Sequence, residues 1–302
     1  FAVSPEVVAH DLHPEYLSTK YALELEGVET VAVQHHHAHL ASCLAEHRET
    51  GPAVGAIFDG TGYGTDGTVW GGELLVGDAK GFERRGRLHP VRMPGGERAI
   101  HQPWRMACSW LFDALGPEPP LPPLIAAHVS AEEWQKVGKL AASGLASPLT
   151  SSAGRLFDAV AALCGIRAEV NYEGQAAVEF EGIADATEGG EYPLPGDELL
   201  DARETVRAIL ADLGAGVPVS VVAARFHNGV GHATARACAR IAEADGIDRV
   251  VLSGGVFQNR LLLERTTEAL ERTGLRVLVP RLLPPNDGGI AFGQAAVAAA
   301  SA

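Results

Sequence analysis

The chain has 302 residues, roughly two domains at about 150 residues each, and it is 46% hydrophobic and 21% charged, which excludes disorder as its main state. Asp and Glu (38) outnumber Lys and Arg (24), and the net charge of −14 excludes non-specific binding to nucleic acid or anionic lipid, leaving room only for a local basic cleft. No apolar run approaches the ~20 residues of a membrane span. Cys43, Cys108, Cys164 and Cys238 lie far apart and form no Cys-x-x-Cys pair, so they read as reduced, buried thiols of a cytoplasmic protein. The start at Phe1, with no secretory leader read there, points to a fragment or a processed product.

In chain order, Val7 to Leu12 reads as a short strand and Pro14 to about Glu26 as a helix ended by Gly27. Thr30 to Gln34 is a second strand, running directly into His35-His36-His37-Ala38-His39 at the start of an amphipathic helix. Val54 to Phe58 is a strand, the glycine-rich run Asp59 to Gly67 its turn, and Thr68 to Val76 the return of a hairpin. Phe82 to Met93 is a further strand. Helices are expected at Trp104 to Leu115, Ala131 to Ala142, Gly154 to Leu163 and Glu173 to Ile183, and Asp185 to Asp197, polar and proline-bearing, reads as a linker. Ala202 to Leu213 and Val219 to Ala244 are amphipathic helices, followed by strand Arg249 to Ser253, helix Asn259 to Arg272, strand Leu275 to Val279, a loop at Pro284 to Gly289 and a last helix at Ile290 to Ala300. Alternating strands and helices predict parallel pairing and an α/β fold.

Four histidines at 35, 36, 37 and 39 are the strongest local signal. Positions i and i+4 share a helix face, so His35 and His39 can grip one divalent ion, zinc or iron, while His36 and His37 point elsewhere. Asp59 and Asp287 each end a strand beside a glycine-rich turn; each reads either as a further ligand or as a residue stabilising its own turn. Gly60, Gly62, Gly64 and Gly67 allow a hairpin to wrap an anion, or serve the turn alone. Gly254-Gly255 ends a buried strand and opens a helix, a place suited to nucleotide phosphate, with Asn259 in the first turn. Asp158 reads either as a ribose ligand or as the partner of Arg155 on a helix surface. No cysteine or serine reads as a covalent nucleophile, and no catalytic residue is assigned.

These residues fall in six runs: VQHHHAHL from Val33, FDGTGYGTDGTVW from Phe58, SSAGRLFD from Ser151, YEGQ from Tyr172, SGGVFQN from Ser253 and PPNDGG from Pro284. Together they resemble the HypF family, the carbamoyltransferases of NiFe-hydrogenase maturation, and more broadly the ASKHA-type (actin-like, RNase H-like) proteins that include threonylcarbamoyl and antibiotic O-carbamoyl transferases. The resemblance implies an ASKHA fold, with residues 1–50 a remnant of the first lobe, 51–302 the second lobe, and a helical insertion at about 97–190. It implies that His35, His39, Asp59 and Asp287 bind metal, that Asp158, Gly174 and Asn259 hold ribose and base, and that Gly60 to Gly67 cradles phosphate. Carbamoyl-adenylate, made from carbamoyl phosphate and ATP by a separate module, would be the donor, and the C-terminal cysteine of HypE the acceptor. Complete members are similar to a string of acylphosphatase-like, zinc-finger and YrdC-like modules ahead of this one, and none of those three lies in these 302 residues. Transfer to tRNA or to a small-molecule hydroxyl, and a nucleotide-binding module without chemistry, are the rival expectations; the acidic charge disfavours tRNA.

Overall fold

The computed structural model describes residues 4–301. Strands β1 (Val7–Asp11) and β2 (Glu29–Val33) pair in parallel as a sheet of their own, with Asp11 opposite Val33. Helix α1 (Leu17–Leu23) joins them and is shorter than its sequence reading. Tyr16 stays extended at its entry, stacked on His13 with ring centroids 4.2 Å apart, so the first turn begins only at Leu17. Helix α2 (His35–Glu46) follows one residue after β2, and Gln34 caps it by accepting from the His37 N–H at 2.9 Å.

The main sheet is built from β3 (Ala53–Tyr63), β4 (Val69–Gly77), β5 (Phe82–Leu88), β6 (Val91–Arg92), β7 (Leu149–Thr150), β8 (Leu199–Leu200), β9 (Arg249–Ser253) and β10 (Arg276–Leu278). Its backbone order is β10-β9-β3-β4-β5-β8, with β7 bridging β4 and β6. The expected parallel pairing holds for β10-β9-β3 and the expected hairpin for β3-β4, and β5 also runs antiparallel to β4. The reason is loop length: the turns after β3 and β4 are hairpins, too short for a parallel crossover. Strand β3 also runs five residues further than its sequence reading, so the hairpin turn lies at Gly64 to Thr68, and Gly60 and Gly62 sit in a strand whose register breaks between Phe58 and Gly62.

Alternation along β3 splits the core. Ala53 and Ile57 face Leu40, Cys43 and Leu44 of α2, whereas Val54, Ala56 and Phe58 face the helices on the other side. Burial of each large side chain contributes roughly 1.5–3 kcal/mol. That second layer holds α3 (Arg98–His101), α4 (Pro103–Leu115), α5 (Pro123–Ala126), α6 (Ala131–Ser143), α7 (Ala153–Leu163) and α8 (Gln175–Gly182), then α9 (Arg203–Gly214), α10 (Val219–Asp245) and α11 (Arg260–Glu271). The C-terminal helix α12 (Ile290–Ser301) packs against α2 and β1, bringing the two ends of the chain together.

The stretch expected to be a linker is an ordered strap. Asp185 and Tyr192 donate backbone hydrogen bonds to Ser220 and Arg225, and Tyr192 and Leu194 are buried. Gly229 of α10 permits this, since a Cβ there would lie 2.4 Å from the Tyr192 carbonyl. All four cysteines are free and buried. Among the described residues no helix is long and apolar enough to cross a membrane.

Candidate active site

The first two turns of α2, the middle of β3 and the loop before α12 converge on one point. His35, His39, Asp59 and Asp287 each place a nitrogen or oxygen within 4.8 Å of the others. From Asp59 Oδ2 it is 3.4 Å to His35 Nε2 and 3.1 Å to His39 Nε2, and from Asp287 Oδ1 it is 3.3 and 3.5 Å to the same two nitrogens. A tetrahedral ion with bonds of 2.0–2.1 Å has ligand-to-ligand edges of about 3.3 Å. The donor set of two imidazoles and two carboxylates thus has the spacing and the chemistry to hold zinc or divalent iron.

Electrostatics in the quartet run one way. Burial works against the charged form of His35, but hydrogen bonds to Asp11, Asp287 and Asp59 overcome it and raise its pKa well above that of a free imidazole. His39 is raised likewise by Asp287 and Asp59 against its own burial. Burial would raise the carboxyl of Asp59, yet His35 and His39 hold it well below its ordinary range, and Asp287 is lowered by the same pair. His36 and His37 turn away. Burial and then the charge of His35 keep His36 neutral, with its Nε2 unpartnered, while His37 Nε2 donates to the Asp78 carbonyl at 2.7 Å.

One residue behind the quartet is not among those the sequence singles out. Asp11 at the end of β1 accepts from His35 Nδ1 at 2.8 Å and is itself buried. That contact puts the His35 proton on Nδ1 and leaves Nε2 facing Asp59 and Asp287. Only the register of β1 on β2, with Asp11 beside Val33 and so next to the start of α2, reveals it.

Asp59 and Asp287 also form one end of a cavity of about 380 Å³. Gly60, Asp158, Gly174, Gly255 and Asn259 line it, as do Gly154, Arg155 and Glu173. Gly62, Gly64 and Gly254 do not. A Cβ on Gly62 would strike the His36 ring, one on Gly64 the Thr68 carbonyl, and one on Gly254, whose φ is +99°, the Phe58 carbonyl. These three glycines allow close packing behind the cavity. Gly174 caps α8 at φ +83°, and a Cβ there would meet open space.

Helix α7 enters the cavity wall end-on. Ser152 caps it by accepting from the Arg155 N–H at 3.1 Å, and its hydroxyl points at the carbonyls of Asp59 and Gly60, which ties the helix to β3. Arg155 and Asp158 are both buried in this wall, with Arg155 Nε 3.1 Å from Asp158 Oδ2 and Nη2 3.1 Å from Glu173 Oε1. Asp158 lines the cavity and pairs with Arg155, but the pair lies inside the protein and not on a helix surface. Burial outweighs Arg155 and pushes its carboxyl up to about 6. Arg155 Nη1 is buried and has no hydrogen-bond partner among the described residues.

Asn259 is the N-cap of α11 and not a residue of its first turn. Its Oδ1 accepts from the Leu262 N–H at 2.8 Å, and its amide donates to His227 Nε2 at 2.8 Å. Gly255 opens a 3₁₀ turn that runs to Gln258, and the helix dipole opens only at Asn259. His227 itself donates from Nδ1 to the Ala223 carbonyl, and burial takes its pKa down to about 4, which keeps Nε2 an acceptor for Asn259.

Comparison with known proteins shows the family. A family model described as "Carbamoyltransferase, Kae1-like Domain, second subdomain" matches residues 55–294, and one described as "HypF Kae1-like domain" matches residues 1–46. The chain is similar to carbamoyltransferase HypF2 of Cupriavidus necator, 40% identical over 335 residues, covering 98% of this chain and 40% of that protein. It is 38% identical to a carbamoyltransferase HypF homolog of the same organism, covering 97% of this chain and 78% of that protein. Among solved structures, full-length HypF in its phosphate- and nucleotide-bound form superposes with a TM-score of 0.90 at 43% identity, over 98% of this chain and 47% of that one. The chain thus spans about 40% of the length of the long relatives it matches. With a family model over most of its residues and relatives near 40% identity along nearly all of it, the chain belongs to the HypF carbamoyltransferase family and has its Kae1-like, ASKHA fold.

Proposed function

We propose that the cavity is a carbamoyl-transfer site of NiFe-hydrogenase maturation, taking carbamoyl-adenylate as donor and the C-terminal cysteine of HypE as acceptor. The observation that carries this reading is that the two quartet carboxylates, Asp59 and Asp287, share one cavity with Asp158, Gly174 and Asn259. A ligand laid along it would meet cation ligands at one end and hydrogen-bonding groups for a ribose at the other. ATP and carbamoyl phosphate are the precursors of the donor, supplied through a separate adenylating module. The division at about residue 50, the helical insertion at 97–190 and a cytoplasmic location belong to the same proposal.

His35, His39, Asp59 and Asp287 would hold a divalent cation, iron or zinc, which supplies a Lewis acid and a template for phosphate oxygens. Asp158 accepts from a ribose hydroxyl when ionised. Arg155 lines the same cavity beside Gly60, and its positive charge would offset the negative charge that grows as the donor is attacked. The thiolate sulfur attacks the carbamoyl carbon. A C–S bond forms, the bond from that carbon to the adenylate oxygen breaks, and AMP leaves with the electron pair, the thiol proton having been lost to solvent. AMP is a good leaving group, so positioning and charge stabilisation suffice and no protein nucleophile is needed.

The test is mass spectrometry of HypE after incubation with this chain and synthetic carbamoyl-adenylate. A carbamoyl mass gain is expected, confined to an acceptor with a free terminal cysteine. An equal gain with the His35→Ala/His39→Ala double variant would make the transfer uncatalysed and overturn the reading.

A further inference from the structure

A second cavity, of about 430 Å³, lies at the opposite end of α7. It is lined by Trp104 and Arg105 of α4, Arg98 of α3, and the segment Ile166 to Glu169 that follows α7. An 11-residue helix is about 16 Å long, so this cavity is distinct from the one at Gly154 and Asp158. In a chain of net charge −14 its lining is unexpectedly basic: Arg98, Arg105, Lys136 and Arg167 against Glu133 and Glu169.

The charges are not equally committed. Lys136 pairs with Glu132, and Arg167 with Glu179. The Glu133 carboxylate is held by Ser130 in the capping box of α6, and Glu169 accepts from Gln102. Arg98 and Arg105 are left, and neither forms an ion pair with any described residue. Arg105 is only 8% exposed. Its Nε donates to Gln102 Oε1 and its Nη1 to the Pro94 carbonyl, both neutral acceptors. Gly95 leaves room against it, since a Cβ there would come within 3.2 Å of Nη1. A guanidinium buried without an anion is costly unless a ligand supplies one. Burial, followed by the like charge of Arg98, lowers the pKa of Arg105, as expected for an uncompensated cation.

We infer that this cavity is an oxyanion-binding site, taking a small molecule that presents a carboxylate or phosphate to the Arg98 and Arg105 guanidinium groups. Guanidinium forks match both anions in bidentate geometry, and the cavity has the volume of a small-molecule site. The ring of Trp104, with the Arg105 guanidinium 5.1 Å from its centroid, would flank the bound group.

The experiment is NMR on the whole chain, with the nucleotide cavity saturated by a non-hydrolysable ATP analogue. The Arg105 Nε–H and Trp104 indole resonances are followed during titration with inorganic phosphate or, in a separate arm, succinate. Sodium chloride at equal ionic strength is the control. Saturable shifts with either oxyanion are expected, and the arm that saturates identifies the chemistry. Affinity should fall about tenfold or more in Arg98→Gln and Arg105→Gln, as expected for losing a charge-assisted hydrogen bond. Arg98 is exposed, so its variant decides the matter if Arg105→Gln fails to fold. No saturation by either anion, or unchanged affinity in Arg98→Gln, would overturn the site.

Discussion

Asp59 and Asp158 line the same cavity and are buried to a similar degree, yet their surroundings push them in opposite directions. Asp59 is held ionised and Asp158 is pushed toward its neutral form. The difference lies in the number and aim of partners. Two imidazole nitrogens stand 3.1 and 3.4 Å from one Asp59 oxygen, and the Gly60 N–H donates to the other at 2.8 Å. Asp158 has one close cation, Arg155, whose Nε lies 3.1 Å away but makes no hydrogen bond to it. One end of the cavity thus keeps fixed negative charge, as a cation requires. The other keeps a carboxyl near its titration point, able to donate or accept as a sugar hydroxyl requires. The same residue type, buried at both ends, differs in charge because burial alone does not set it.

Removing both bases from the first end should have the largest effect. In His35→Ala/His39→Ala, Asp59 and Asp287 would face each other without a bridging group. Bound iron or zinc, measured by elemental analysis after purification, should fall to background, while His36→Ala should retain it. Equal metal content in the double variant and the parent would remove the quartet from consideration as a metal centre.

The second end can be isolated by pH. The folded carboxyl of Asp158 titrates at about 6 against an ordinary value of 3.8, so between these two pH values the folded chain binds this proton more tightly than the unfolded one. Stability from this group is therefore present below about pH 4 and is lost as pH rises through 6. The shift corresponds to about 3 kcal/mol as an upper figure. Denaturant unfolding of Asp158→Asn and of the parent should diverge over that window, the variant gaining relative to the parent as pH rises. Parallel stability profiles from pH 4 to 7 would show that Arg155 compensates Asp158 fully and that the two ends do not differ.

Much of this contrast is legible in the amino-acid sequence, and the rest is hidden from it for definable reasons. The i, i+4 spacing of His35 and His39 is a local property of a helix, and Asp59 follows the apolar run Val54 to Phe58, so these three can be picked from spacing; Asp287 lies in a 3₁₀ turn nine residues beyond β10 and not at a strand end. Asp158 is visible as a candidate, but its environment is not. Whether Arg155 meets it at a wet surface or inside a wall depends on Ser152 tying α7 to β3, a contact across about 90 residues. Composition misleads at 185–197, where prolines and charges suggest a linker. Tyr192 and Leu194 are the contrary signal, two apolar residues alternating in an otherwise polar run, and both are buried against the rest of the core. The extent of β3 is concealed because glycines at 60 and 62 look like turn residues. Instead, packing against His36 requires the missing side chain at Gly62.

The smallest expected effect tests why the first end is so well defined. Asp11 touches no ligand position; it acts through His35 by accepting from Nδ1 at 2.8 Å. An ionised acceptor there orients the ring and makes Nε2 a stronger donor to a cation. Losing such a partner ordinarily lowers metal affinity 10- to 100-fold without abolishing binding. Asp11→Asn keeps the shape, and its amide oxygen can still accept from His35, so the ring's orientation survives while the negative charge does not. Asp11 Oδ1 also accepts from the His13 N–H at 2.8 Å, and the same amide cannot satisfy both contacts with its oxygen alone. Competition titration with a chromophoric chelator should therefore place Asp11→Asn between the parent and Asp11→Ala. If Asp11→Asn matched the parent and Asp11→Ala did not, orientation alone would account for the role of Asp11. If both matched the parent, the fixed negative charge at this end of the cavity would reside in Asp59 and Asp287 only.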